Sequence, residues 1–173
     1  MTKLEQIAQQ IESQKLPPVD KWKPKNHGEI DIEIDVQGQW FHEGQRIARD
    51  KLVALFSTIL WHEDNKYYLV TPAEKLLIKV GDVPYIIHQA ELADGTWVAT
   101  TNTHEQVIIS DLHRVELRQF QGQWIPYVNI RFDLWARVNR SIFYQWVELA
   151  IEDGEADLLE LRSGNYVFEV AKA

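Results

Sequence analysis

Between Ile30 and Val36 apolar and acidic residues alternate without exception: Ile30, Ile32, Ile34 and Val36 interleave with Asp31, Glu33 and Asp35. A period of two sends successive side chains to opposite faces, so this run predicts a half-buried strand with an acidic outer face. Ahead of it, Leu4, Ile7, Ala8 and Ile11 recur at helical spacing. Leu16-Pro17-Pro18 stops that helix, because proline cannot continue the hydrogen-bond ladder. Trp22 and Pro24 follow in an extended linker, where Trp22 is expected to pin the segment to the body. Beyond the acidic strand, Gln37-Gly38 reads as a hairpin turn and Trp40-Phe41-His42 as the returning strand. Asp50 is a good N-cap for a helix whose apolar stripe is Leu52, Val53, Leu55, Phe56, Ile59 and Leu60. Strands are expected at Tyr67–Thr71 and Lys75–Val80.

Gly81-Asp82-Val83-Pro84 reads as the boundary between halves. Strand-like runs follow at Tyr85–Leu92, Trp97–Thr101, Val107–Ile109, Val115–Phe120 and Ile125–Ile130, with an Asp94-Gly95 turn between the first two. Leu134, Trp135, Val138, Ile142, Trp146 and Leu149 have helical spacing and predict a long helix that ends at Asp153-Gly154. A last hairpin is expected from Leu158–Leu161 through Ser163-Gly164 to Tyr166–Val170.

The tetrapeptide Gln-Gly-Gln-Trp occurs at Gln37–Trp40 and again at Gln121–Trp124, each time ahead of an arginine and a predicted helix. Aligning the helices sets Arg49 on Arg131 and Leu52 on Leu134. The sequence therefore predicts an α+β protein of two small domains built from a duplicated strands–helix–strands unit. Residues 1–27 form an N-terminal helix and linker, 28–80 the first repeat and 81–173 the second. Duplicated units often build a ligand site where they meet.

Composition narrows the function. A formal net charge of -8 argues against non-specific nucleic-acid binding and against docking on anionic lipid, though a local basic pocket is compatible with it. With no cysteine, disulfides, Cys-based zinc sites and thiol nucleophiles are excluded. No signal-peptide pattern opens the chain and no apolar run spans a bilayer, so a cytoplasmic location is expected. The six histidines have no zinc-helix spacing, no serine sits in a nucleophile elbow, and no phosphate or dinucleotide loop is present. Neither a metal nor a cofactor is expected, and no catalytic residue is nominated.

The candidate binding residues are Arg49, Arg131, Thr71, Glu74, Lys75, Trp40 and Trp124. Arg49 and Arg131 are read at helix starts, where the macrodipole disfavours a cation and a bound anion would resolve the conflict. Pairing with nearby carboxylates is the structural alternative. Thr71-Pro72-Ala73-Glu74 matches a capping box, read as one helical turn or a tight loop, with Lys75 beside it. Trp40 and Trp124 offer stacking faces, although large core side chains are their ordinary role. The reading is a non-enzymatic binding protein for a small anionic ligand. Its rivals are a protein-interaction module that takes a peptide along a sheet edge or groove of the second domain, and a hydrolase, for which no constellation is visible.

Leu16-Pro17-Pro18-Val19, Trp22, Gly28–Ile32, Gly38-Gln39-Trp40, Gly44, Ile47-Ala48-Arg49, Leu69–Lys75, Asp82–Tyr85, Thr101-Asn102 and the segment from Tyr127 through Glu148 together resemble a bacterial family labelled domain of unknown function 1285. Gln45-Arg46 departs from the family pattern, which has a proline before the isoleucine. The resemblance implies two α+β domains with a duplicated core, the second loosely like a pleckstrin-homology barrel. It further implies a nucleotide-like ligand between domains and a role in signal transduction.

Overall fold

The computed structural model describes residues 2–13, 15–153 and 159–172, the side chain of Asp153 apart. It is a mixed α+β protein with two six-stranded sheets of similar build, one of them a curled half-barrel. The chain divides into two compact units. The first comprises residues 15–84 with 132–134, and the second comprises 1–14, 85–131 and 135–173.

In the first unit, β1 (Asn26–Ile34), β2 (Trp40–His42) and β3 (Gln45–Arg46) form one antiparallel meander. After α2 (Asp50–Ser57), β4 (Leu60–Glu63), β5 (Lys66–Val70) and β6 (Glu74–Val80) form another. Parallel pairing of β1 with β6 joins them, giving the order β3-β2-β1-β6-β5-β4. Alternation in β1 does what its period demands: Ile32 and Ile34 are buried while Asp31 and Glu33 face outward. Gly81 closes β6 against the end of β1, and a Cβ there would meet Val36 at 3.0 Å.

The second unit repeats this plan. Its strands are β7 (Tyr85–Ala93), β8 (Thr96–Thr101), β9 (Gln106–Ile108), β10 (Val115–Phe120), β11 (Gln123–Arg131) and β12 (Leu134–Val138). They pair in the order β10-β11-β12-β7-β8-β9, with β7 and β12 parallel. Matching β1–β6 to β7–β12 in sequence reproduces every neighbour. In both sheets an antiparallel meander of three strands joins a second one through its first and sixth strands. A hairpin of β13 (Glu160–Ser163) and β14 (Tyr166–Glu169), together with α1 (Lys3–Ser13) and α3 (Arg140–Asp153), completes the unit. Ile142, Phe143, Trp146 and Ala150 of α3 are buried, and Trp146 is wedged edge-on between Trp97 and Phe168, ring centroids 5.7 and 5.4 Å away.

Three sequence expectations change. Leu134–Val138 is a strand, so Trp135 and Val138 are buried in a sheet and α3 starts only at Arg140, behind Asn139, whose carboxamide accepts from the Ile142 N–H. Buried on both faces, β12 places apolar Leu134, Trp135, Ala136 and Val138 around one buried arginine, Arg137, and so mimics helical spacing. The α2 helix stops at Ser57, and Leu60 begins a strand that the extended stripe had absorbed. The Gln-Gly-Gln-Trp copies are not equivalent: Gln37–Trp40 links β1 to β2, whereas Gln121–Trp124 links β10 to β11. The true counterpart of Trp40 is Trp97, the second residue of β8 after the Asp94-Gly95 turn and buried like Trp40. The predicted helix stop at Gly154 and the hairpin start at Leu158 lie outside the described residues. No helix among the described residues is long and apolar enough to cross a membrane.

Candidate functional site

The extended linker is a strap. A 3-10 turn at Val19–Lys21 follows Pro17-Pro18, and buried Val19 and Pro24 anchor it at either side of Trp22. Between this strap and one face of the first sheet lies a cleft of about 220 Å³. Asp20, Trp22 and Lys23 line it from the strap, and Trp61, Glu63, Val70, Lys75 and His27 from β4, β5, β6 and β1. Cross-strand register explains the grouping: Val70 opposes Lys75, and Lys75 opposes His27 on the far side. Residues directly opposite one another share a face.

Trp22 and Trp61 are half-buried aromatic walls. Lys75 is largely buried, pairs with Glu63 and lies 4.4 Å from the centroid of the Tyr68 ring. Lys23 at the mouth is exposed and has no ion-pair partner among the described residues. The His27 ring contacts the Pro24 carbonyl at 3.1 Å, tying β1 to the strap. Formal charges inside the cleft balance, Lys23 and Lys75 against Asp20 and Glu63.

On the opposite face of the same sheet His62 stacks on Tyr67 at 4.0 Å and nearly parallel. Its Nδ1 lies 2.8 Å from the Asp133 backbone oxygen and 2.9 Å from the Asp133 carboxylate, so Nδ1 carries the proton. Phe132, from the same turn, packs on Trp61 at 5.2 Å. Among the described residues no group of three or more His, Asp or Glu side chains is placed to hold a metal ion.

Of the residues nominated from sequence, Lys75 lies in the cleft and the others do not line it. Thr71 makes a tight turn between β5 and β6: its hydroxyl accepts from the Ala73 and Glu74 N–H groups, and its own N–H donates to the Glu74 carbonyl. Glu74 is exposed at the start of β6. Trp40 is core, 2% exposed and stacked on Phe56. Trp124 is 39% exposed beside Lys172 and borders a shallow groove with Tyr144 and Val147. Arg49 caps α2 and is exposed, so the dipole argument applies to it. That argument does not apply to Arg131, which ends β11 rather than beginning a helix. Arg131 pairs with Glu105, donates to the Tyr85 hydroxyl at 2.8 Å and is mostly buried. Burial alone would lower its pKa, but Tyr85 and Glu105 outweigh that and the net displacement is upward. A raised cation is stabilising at every pH below its ordinary range, so this pair keeps Arg131 charged under all working conditions.

Family models match nearly the whole chain. Residues 17–83 match "Domain of unknown function (DUF1285), N-terminal domain", and residues 84–170 match "Protein of unknown function (DUF1285), C-terminal domain". The chain belongs to the DUF1285 family. A DUF1285 protein from Silicibacter pomeroyi DSS-3 is similar in structure at TM-score 0.84 and 31% identity, over 100% of this chain and 97% of that one. One from Shewanella baltica OS155 is similar at TM-score 0.56 and 25% identity, over 68% of this chain and 90% of that one. No curated protein matches the sequence. The first DUF1285 model begins within the strap, at Pro17, so the cleft's roof and floor both fall inside it. Sequence reasoning missed Trp61 because the helical stripe ran up to Leu60, so the strand Leu60–Glu63 that carries Trp61 was not seen as one. The available signal was Asp64-Asn65, a turn flanked by Trp61-His62-Glu63 and Lys66-Tyr67-Tyr68.

Proposed function

We propose that this DUF1285 protein is a binding protein for a small ligand that has a flat ring and an anionic group, held in the cleft between the strap and the first sheet. One observation carries the reading: Trp22 and Trp61 line the same cleft as Lys23, Lys75 and His27. Aromatic walls reward a planar ring, and a charge-assisted hydrogen bond to a lysine contributes about 1.5–3 kcal/mol. The cleft is smaller than the roughly 300 Å³ at which drug-sized pockets begin, so it takes a ring and leaves the rest of the molecule outside. A nucleotide-like ligand would enter base first under this reading, with its phosphate at Lys23. Signalling is then the use of such binding rather than a separate activity.

Glu63 makes the proposal sharp. It already neutralises Lys75, so an incoming anion competes with it. Calorimetric titration with a panel of nucleotides, nucleosides and aromatic carboxylates is the test. Trp61→Ala should abolish binding, Lys75→Gln should weaken it by about tenfold, and Glu63→Gln should tighten it several-fold. A panel in which nothing binds the unmodified protein, or a ligand indifferent to both Trp61→Ala and Glu63→Gln, overturns the reading.

A further inference from the structure

The charges that line the strap cleft are not all occupied, and the unoccupied ones are of opposite sign. On the sheet side Lys75 pairs with Glu63 and lies over the Tyr68 ring, so the floor is electrically neutral. The His27 Nε2 is committed to the Pro24 carbonyl. On the strap side Asp20 and Lys23 line the same cleft, one on each side of Trp22 in sequence. Both are exposed, and among the described residues neither has an ion-pair or side-chain hydrogen-bond partner, the other included. The roof therefore presents a free carboxylate and a free ammonium that do not satisfy each other.

That pair discriminates among ringed anions. A phosphate monoester carries a charge of about -1.5 to -2 at neutral pH, and it would bring that charge past the Asp20 carboxylate with nothing to offer it. An α-amino acid carries an ammonium and a carboxylate on one carbon, so it answers Asp20 and Lys23 together. Its side chain would supply the flat ring that Trp22 and Trp61 reward. Size agrees: at about 220 Å³ the cleft falls below the roughly 300 Å³ at which drug-sized pockets begin.

We infer that the ligand of this cleft is a free α-amino acid with an aromatic side chain, its ammonium at Asp20, its carboxylate at Lys23 and its ring against Trp22 and Trp61. The inference rests on the reading of the cleft as a site for a ringed anion and narrows that anion to a zwitterion. Each contact at this mouth is exposed and weak by itself, and the two together on one rigid head group set the orientation.

The probes are phenylalanine and tryptophan, their analogues without the ammonium (phenylpropionate and indolepropionate), their analogues without the carboxylate (phenethylamine and tryptamine), and adenosine monophosphate. Each is titrated calorimetrically into the full-length protein. The amino acids should bind about fivefold more tightly than either class of analogue. Asp20→Asn should erase the advantage over the acids without weakening the acids themselves, and Lys23→Gln should erase the advantage over the amines. Both side chains are exposed, so neither change should move the denaturation midpoint. An acid that binds as tightly as its amino acid, or an Asp20→Asn protein that weakens both alike, overturns the zwitterion and leaves the ringed anion standing. Binding of the nucleotide with none of the amino acids has the same meaning. If no ringed anion binds at all, both readings fall.

Discussion

The two sheets have one strand order but finish their faces differently. In the first, Trp61, Val70, Lys75 and His27 share a face that a strap crosses without filling, and a cleft remains. In the second, the corresponding face of β10, β11 and β12 carries Trp135 and Tyr127, 2% and 1% exposed, with Arg114 and Arg118 over the former ring and Arg118 over the latter. Flat guanidinium groups stack where an irregular strap leaves room. The helices differ in the same sense. α2, inserted between the third and fourth strands, buries only Ser57, whereas α3, placed after the sixth strand, buries Ile142, Phe143, Trp146 and Ala150. Repeating a strand plan therefore does not repeat a site, because the connections decide which face is left to a ligand.

If the second unit is the better-packed one, Trp146→Ala should have the largest effect. It should cost about 3–5 kcal/mol, as other large-to-small core changes do, read from the denaturation midpoint. A loss below about 1 kcal/mol would erase the contrast in packing. Arg131→Gln comes next: it leaves Glu105 buried and unpaired, and should cost about 3 kcal/mol, with Glu105→Gln costing a similar amount. If Arg131→Gln left stability intact, the buried pair would lose its structural role. Lys75→Gln should be mild, at about 1 kcal/mol or less, since Glu63 is 41% exposed. The smallest effect belongs to Arg49→Gln, within about 0.5 kcal/mol and in the stabilising direction, because an exposed cation is removed from a helix N-terminus. A clear destabilisation there would reveal a contact for Arg49 that the structure does not show.

Much of the frame was legible in the sequence because its cues were local. The alternation in β1, the Asp94-Gly95 turn and the double proline after α1 each act over a few residues. What failed was non-local. Leu134–Val138 is apolar at every apparent helix position because both faces of β12 are covered, and no short window distinguishes that from a helix. The repeated Gln-Gly-Gln-Trp misled for a related reason. In the first copy the Asp35 carboxylate accepts from the Gln37 and Gln39 N–H groups and shapes the turn. In the second copy Gln121 and Gly122 both adopt positive φ in a tight hairpin. Four identical letters took different conformations according to their neighbours. For the site, Lys75 was legible as a cation beside a tight turn. Its companions Trp22 and His27 lie far from Trp61 and Lys75 in the chain, and it is the pairing of β1 with β6 that brings the two groups together.

The α1 helix packs with the second unit although it opens the chain: the Leu4 N–H donates to the Asp94 carboxylate, and Lys3 pairs with Glu91. During synthesis this helix emerges well before β7 and β8, so its binding surface on β7 and the following turn does not exist until that hairpin has emerged. The strap and first sheet are complete in between. The α1 helix must therefore wait unanchored and is among the last elements to settle. A nascent chain arrested just after Pro84 should hold a formed first sheet and an N-terminus still open to protease.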